Sequence, residues 1–306
     1  MTSRTCILVG AGLDCGKDAK GCLMGPDAYR TAGLADVLRD LGHSVSDRGN
    51  VQPEAVTPKP DPKCVAVQET IAWTKALSAA SIAACEAGLP IFLGGDHAIS
   101  LGTVLGASRH AKRVNKPLFV LWLDAHSDYH TLSTTQSGNL HGTPVAYVTA
   151  RAGFEGFPIV DAPVAEDHVT MIGLRSVDPL ERAGLESSAI TCIDMRQIDE
   201  GGISRPLGTF LDRVARENGM LHVSLDVDFL DPSIAPGVGT TVPGGATVRE
   251  AHLVMEMIHD SGLMTSLDLV ELNPFFDERG RTAQLMVDLA ASAFGRRVFD
   301  RKTSAY

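Results

Sequence analysis

Apolar residues fall along this chain in short unbroken runs, separated by longer windows where they recur every three or four positions. The runs cover 6–9, 90–93, 118–123, 169–174, 189–193, 221–225 and 264–269, with a weaker one around Val45. Such runs, bounded by glycine, proline or polar residues, read as strands buried on both faces. Helical spacing begins at Gly25-Pro26 and continues through Leu34, Val37, Leu38 and Leu41 until Gly42 closes it. Further helical windows lie near 65–87, 98–113, 178–187, 205–217 and 247–259, with another after 281. Pro53, Pro58, Pro60 and Pro62 make 51–63 an extended surface loop. Strands alternating with helices predict one mostly parallel sheet covered on both faces, a single α/β domain over residues 1–306. The strand count is about eight, which by itself fits an open sheet or a closed barrel. In both, sites are built at the C-terminal ends of the strands.

Composition narrows the function classes. The 306 residues are 44% hydrophobic and 21% charged, ordinary values for a globular protein. A net charge of −10 argues against broad nucleic-acid binding. No apolar run is long enough to span a membrane, and the N-terminal stretch to Gly10 is too short and glycine-broken for a signal peptide. Six cysteines without a C-x-x-C pair read as free thiols in a reducing cytoplasm, with no bridge expected between Cys15 and Cys22. The turn Gly10-Ala11-Gly12-Leu13-Asp14-Cys15-Gly16-Lys17 resembles a phosphate loop only superficially. Cys15 stands where a dinucleotide fingerprint needs glycine, and Asp18 where a P-loop needs Ser or Thr.

Four predicted strands end in chemically capable residues. They lead into Gly94-Gly95-Asp96-His97, Asp124-Ala125-His126-Ser127-Asp128, Asp226-Val227-Asp228 and Val270-Glu271-Leu272-Asn273-Pro274. If the extended conformation persists, a period of two places Asp124, His126 and Asp128 on one face, and likewise Asp226 and Asp228. Each end also has an ordinary use: Asp96 or His97 as a helix cap, Asp231-Pro232 as a turn, Glu271 as a solvated end. An Asp-x-Asp carrying a phosphotransferase nucleophile would have Thr or Val where Leu230 stands, and a sugar-transferase motif leaves the other ends unexplained. One shared site accounts for all four. The candidate metal ligands are His97, Asp124, His126, Asp128, Asp226 and Asp228. Four carboxylates match the charge of two divalent cations, and an oxygen-rich, thiolate-free set favours Mn²⁺, or Fe²⁺ or Co²⁺, over structural zinc. Two ions about 3.5 Å apart can share a bridging water and lower its pKa toward neutrality, giving a hydroxide nucleophile.

Together with Ser137-Gly138-Asn139-Leu140-His141-Gly142, these motifs resemble the ureohydrolase (arginase/agmatinase) family, and within it the bacterial arginase branch. The resemblance runs from Gly25-Pro26-x-x-x-Arg30 to Glu271-Leu272-Asn273-Pro274. It implies an open three-layer α/β/α fold, two Mn²⁺ per chain, and hydrolysis of a linear amidine, L-arginine, to L-ornithine and urea. It also implies a trimeric or hexameric homo-oligomer. Carried over by position, Asp124 and Asp226 bridge the ions, His97 and Asp128 complete one, and His126 and Asp228 the other. His141 matches the proton-shuttling histidine and Glu271 the carboxylate that holds the guanidinium; with Asp128 they form the expected catalytic set. Thr135, Ser137 and Asn139 match the loop that grips the α-carboxylate. Asp178 matches the residue facing the α-amino group, and Glu181 and Thr240 are further expected substrate contacts. His130 departs from the pattern, since many arginases have Asn there. A guanidinobutyrase, an agmatinase or a catalytically silent binding subunit remain as alternatives.

Overall fold

The computed structural model describes residues 3–17 and 19–297. Its first half runs β1 (Thr5–Ala11), α1 (Gly25–Thr31), α2 (Leu34–Asp40), β2 (Ser44–Asn50), α3 (Val67–Ala87), β3 (Leu89–Gly94), α4 (Ser100–Arg113), β4 (Leu118–Leu123) and α5 (Pro144–Val148). The second half runs β5 (Val169–Leu174), α6 (Pro179–Glu186), β6 (Thr191–Asp194), α7 (Met195–Gly201), α8 (Ser204–Arg216), β7 (Met220–Asp226), α9 (Val248–Ser261), β8 (Met264–Val270) and α10 (Arg281–Ala293). The eight strands form one open sheet in the order β2-β1-β3-β8-β7-β4-β5-β6, and every adjacent pair is parallel. With β2 and β6 as free edges, the barrel alternative falls away.

The alternation of side chains along each strand builds two cores. Phe119, Leu121 and Leu123 of β4 face a core shared with α2, α8, α9 and α10. Leu118, Val120 and Trp122 face the other, shared with α3, α4 and α5. That is why the strands read as continuous apolar runs and why the layers stack α/β/α. At about 1.5–3 kcal/mol per fully buried large aliphatic or aromatic side chain, these cores dominate the favourable energetics.

Some expectations shift. The single helix expected from Gly25 to Leu41 is α1 and α2, broken at Gly33, whose φ of 87° lies where glycine alone is comfortable. Helices α5 and α7 were not anticipated, and the strand expected at 189–193 is β6, 191–194. No regular element occupies 51–63, as its prolines indicate. All six cysteines are free, including Cys15 and Cys22. Met1 and Thr2, part of the stretch assessed as a signal peptide, lie outside the described residues. Among the described residues no helix is long and apolar enough to cross a membrane.

Candidate metal centre and substrate cavity

The C-terminal ends of β3, β4 and β7 meet at one point. His97 Nδ1 lies 3.0 Å from Asp124 Oδ2, 3.2 Å from Asp128 Oδ2 and 2.9 Å from Asp226 Oδ2. His126 Nδ1 lies 3.0 Å from Asp228 Oδ2 and 3.4 Å from Asp124 Oδ1. Asp124 thus turns one oxygen toward each imidazole. Asp226 does not: its Oδ2 faces His97 while its Oδ1 accepts the Asp228 N–H at 2.7 Å.

The acids do not converge through strand alternation. β4 stops at Leu123, and Asp124 Oδ1 accepts the His126 N–H at 2.6 Å, folding the chain into a turn. Asp128 then takes φ 48°, a left-handed backbone that is uncommon outside glycine and typical of strained functional sites. After β7, Asp226 caps a single 3-10 turn, Val227–Phe229, so Asp228 is likewise presented by a turn. The period-two expectation is corrected accordingly: short aspartate side chains take up backbone donors as the strands end.

Rigid partners hold these groups. Trp122 stacks on the His97 ring at 4.1 Å and donates from Nε1 to Asp124 Oδ2 at 3.1 Å. Ser224 Oγ sits 2.8 Å from His97 Nε2, leaving Nδ1 for the carboxylates. Arg175 donates to the backbone carbonyls of Asp228 and Val242, tying two loops together. The electrostatics are frustrated. Burial pushes the carboxyls of Asp128, Asp226 and Asp228 above their ordinary range, and the neighbouring aspartates push them further. Burial opposes ionisation of Asp124 too, but hydrogen bonds and charge from His126 and His97 together hold it below the usual range. Burial disfavours the His126 cation, yet Asp228 and Asp124 outweigh it and push the imidazole up to about 12. His97 Nδ1 is buried, with three carboxylate oxygens around it and none in line for a hydrogen bond. That is the donor arrangement of a cation site, and the two groups His97–Asp124–Asp226 and Asp124–His126–Asp228 could each hold a metal ion.

A cavity of about 240 Å³ opens on this cluster. It is lined by all six candidate ligands and by His130, Thr135, Ser137, Asn139, His141, Asp178, Glu181 and Thr240. Every expected site residue except Glu271 therefore lines one space. Within it Ser137 Oγ accepts the Asn139 N–H and Thr135 Oγ1 the Gly138 N–H, both at 3.2 Å, while Asn139 Oδ1 is buried without a partner among the described residues. His130 bridges two loops, with Nδ1 3.1 Å from Thr134 Oγ1 and Nε2 3.2 Å from Asp178 Oδ2. Glu181 is already engaged by Ser127 Oγ and by the N–H groups of Tyr129 and Asp178. Thr240 Oγ1 donates to Asp228 Oδ2 at 3.4 Å.

Glu271 lies behind the cavity, 1% exposed and with φ 65°. Its Oε1 accepts the His97 N–H at 2.8 Å and sits 3.0 Å from His141 Nδ1, while Oε2 pairs with Lys17. Burial opposes its charge, but Lys17 and His141 hold the carboxyl well below the usual range. Asp96, which caps the turn bearing His97, is pushed up to about 7 by burial and by the Glu271 charge.

The model of the arginase family matches residues 4–295. The chain belongs to the arginase family. An arginase of Agrobacterium fabrum is 58% identical over 306 residues, covering 99% of this chain and 94% of its own. An arginase of Brucella suis is 58% identical over 304 residues, covering 98% and 99%. The solved arginase of Bacillus subtilis superposes with a TM-score of 0.87 at 34% identity, covering 97% of this chain and 100% of that one. The partners that motif reading passed over are Lys17, Trp122 and Ser224. Trp122 read only as a core strand position, and Ser224 only as the residue opening the motif that ends in Asp226-Val227-Asp228. Lys17 stood in the glycine-rich turn that was weighed for phosphate alone.

Proposed function

We propose that this protein hydrolyses L-arginine to L-ornithine and urea with two manganese ions. What supports this reading most is the union, in one cavity, of six metal-capable side chains with a hydroxyl- and amide-rich loop suited to an amino-acid end. His97 and Asp128 would hold one ion and His126 and Asp228 the other, with Asp124 and Asp226 shared. When bound, the ions supply Lewis-acid charge and lower the pKa of a water molecule.

The chain's own residues do the rest. Thr135, Ser137 and Asn139 offer hydroxyls and an amide to the α-carboxylate, and Asp178, oriented by His130, offers a carboxylate to the α-ammonium. A guanidinium stays protonated at any working pH. Glu271, however, does not line the cavity, and its charge is already paired with Lys17. In place of the direct grip that the resemblance implied, it acts through His141, whose Nδ1 it holds. His141 lines the cavity with Nδ1 tied to Glu271, which leaves the opposite ring nitrogen to pass a proton to the departing amine. Glu181 serves through Asp178, whose N–H it accepts at 3.1 Å.

Urea release from L-arginine, agmatine and 4-guanidinobutyrate after manganese loading, with bound metal counted by elemental analysis, tests the reading. Two ions per chain are expected, with kcat/KM for L-arginine at least about 100-fold above the analogues that lack a group the cavity binds. No urea from L-arginine with both ions bound refutes it.

A further inference from the structure

The glycine-rich turn after β1 carries no nucleotide fingerprint, yet it runs directly beneath the site. Gly16 N–H donates to Asp96 Oδ2 at 2.8 Å. Gly16 O accepts the N–H groups of Leu140 and His141 at 2.6 and 3.1 Å. A Cβ at position 16 would lie 2.7 Å from Asp96 Oδ1 and 2.9 Å from Ala98 Cβ, so this approach requires glycine. The turn is thereby fastened to the residue before His97 and to the backbone of His141 itself.

The next residue is Lys17, 1% exposed, with its ammonium on Glu271 Oε2. A lysine is almost never buried so deeply without a partner. Here the partner is the carboxylate whose other oxygen meets His141 Nδ1 and the His97 N–H. Glu271 is pinned at the backbone too, donating its N–H to Gly95 O at 2.9 Å. The Cys22 thiol lies 3.8 Å from the same oxygen that Lys17 holds. Of the described partners of Oε2, Lys17 alone carries full positive charge. The ammonium does not line the cavity and touches neither the metal-capable side chains nor His141 directly.

We infer that Lys17 is a positioning residue for hydrolysis: by holding Glu271 Oε2 it fixes Oε1 against His141 and so sets that imidazole for the guanidinium. This rests on the hydrolase reading above. A buried plug that merely neutralised an acid would support folding and nothing more. A positioning residue acts on turnover through Glu271, and small misplacements of such groups are enough to slow catalysis by about 100-fold.

The test uses the manganese-loaded full chain as Lys17→Met, Lys17→Arg, Glu271→Gln and the Met/Gln double variant, with urea release per metal-loaded site as the readout. For Lys17→Met, kcat for L-arginine is expected to fall about 100-fold while KM moves less than about threefold, because the cavity's amino-acid contacts are untouched. Lys17→Arg should recover about tenfold of that loss, since it restores the cation. In the Glu271→Gln background, Lys17→Met should change kcat by less than about threefold, as expected of two residues acting through one contact. Unchanged kcat in Lys17→Met, or losses that multiply in the double variant, would overturn the inference. If Lys17→Met does not fold, the double variant, which strands no charge, decides against Glu271→Gln alone. Wild-type protein that releases no urea from any guanidino compound would instead remove the hydrolase reading itself.

Discussion

His130 joins the 130–139 loop to the 175–178 loop through Thr134 on one ring nitrogen and Asp178 on the other. It thereby fixes the residue proposed to face the α-ammonium. His130→Asn shortens that reach and should free Asp178. The expected outcome is a KM for L-arginine raised about tenfold with kcat nearly unchanged, in line with loss of one hydrogen bond to a charged group. Steady-state kinetics decide it, and an unchanged KM would leave His130 without a part in recognition. At this scale the sequence was legible wherever chemistry clusters along the chain, as in Asp124-Ala125-His126-Ser127-Asp128. It was silent where a partner is distant. Nothing near Lys17 announces Glu271, 254 positions away, and nothing near Ser224 announces His97.

Between elements, the tie between β8 and α4 is made of buried polar groups. Asp268 Oδ2 accepts Ser100 Oγ and Thr103 Oγ1, both at 2.7 Å, and lies 3.3 Å from His222 Nε2 on β7. Burial opposes the Asp268 charge, but the nearby His222 imidazole and the hydrogen bonds from Ser100 and Thr103 hold its carboxyl below the ordinary range. A depressed carboxyl contributes stability that is complete above the ordinary aspartate pKa of about 3.9 and is lost as pH falls through the lower folded value. Asp268→Asn, which removes one partner from a buried hydrogen-bonded group, should cost about 3 kcal/mol at pH 7, and the part of that gap carried by the charge should shrink as pH falls below about 3.9. Denaturant melts across pH would show it; a gap constant down to pH 2 would mean that no charged interaction is involved.

The elements themselves were mostly readable, because strands buried on both faces leave unbroken apolar runs. The exceptions have physical reasons. α5 is only five residues long, too short for any periodicity, and is held by tertiary packing of Val145, Tyr147 and Val148. α7 did leave a local trace, the reciprocal cap between Asp194 and Gln197, but it is a single turn-scale signal beside an apolar strand. Gly33 was absorbed into a longer helical pattern that its backbone interrupts.

For the molecule as a whole, strand number was predictable from sequence and strand order was not, since register and crossover depend on contacts across long separations. The observed order gives β8 a special place. Within the sheet, β2-β1-β3 lie on one side and β7-β4-β5-β6 on the other, and β8 is the strand that joins them. His97 follows a strand of the first group, while Asp124, His126, Asp128, Asp226 and Asp228 follow strands of the second. A nascent chain that has not yet produced residues 264–270 therefore holds its metal-capable groups on two parts of the sheet that no strand pairing joins. Pairings of such high sequence separation form slowly. In refolding from denaturant, manganese uptake followed by electron paramagnetic resonance should trail the recovery of helical circular dichroism and coincide with the slowest phase. Uptake in the earliest phase would show that the two halves can meet without the strand between them.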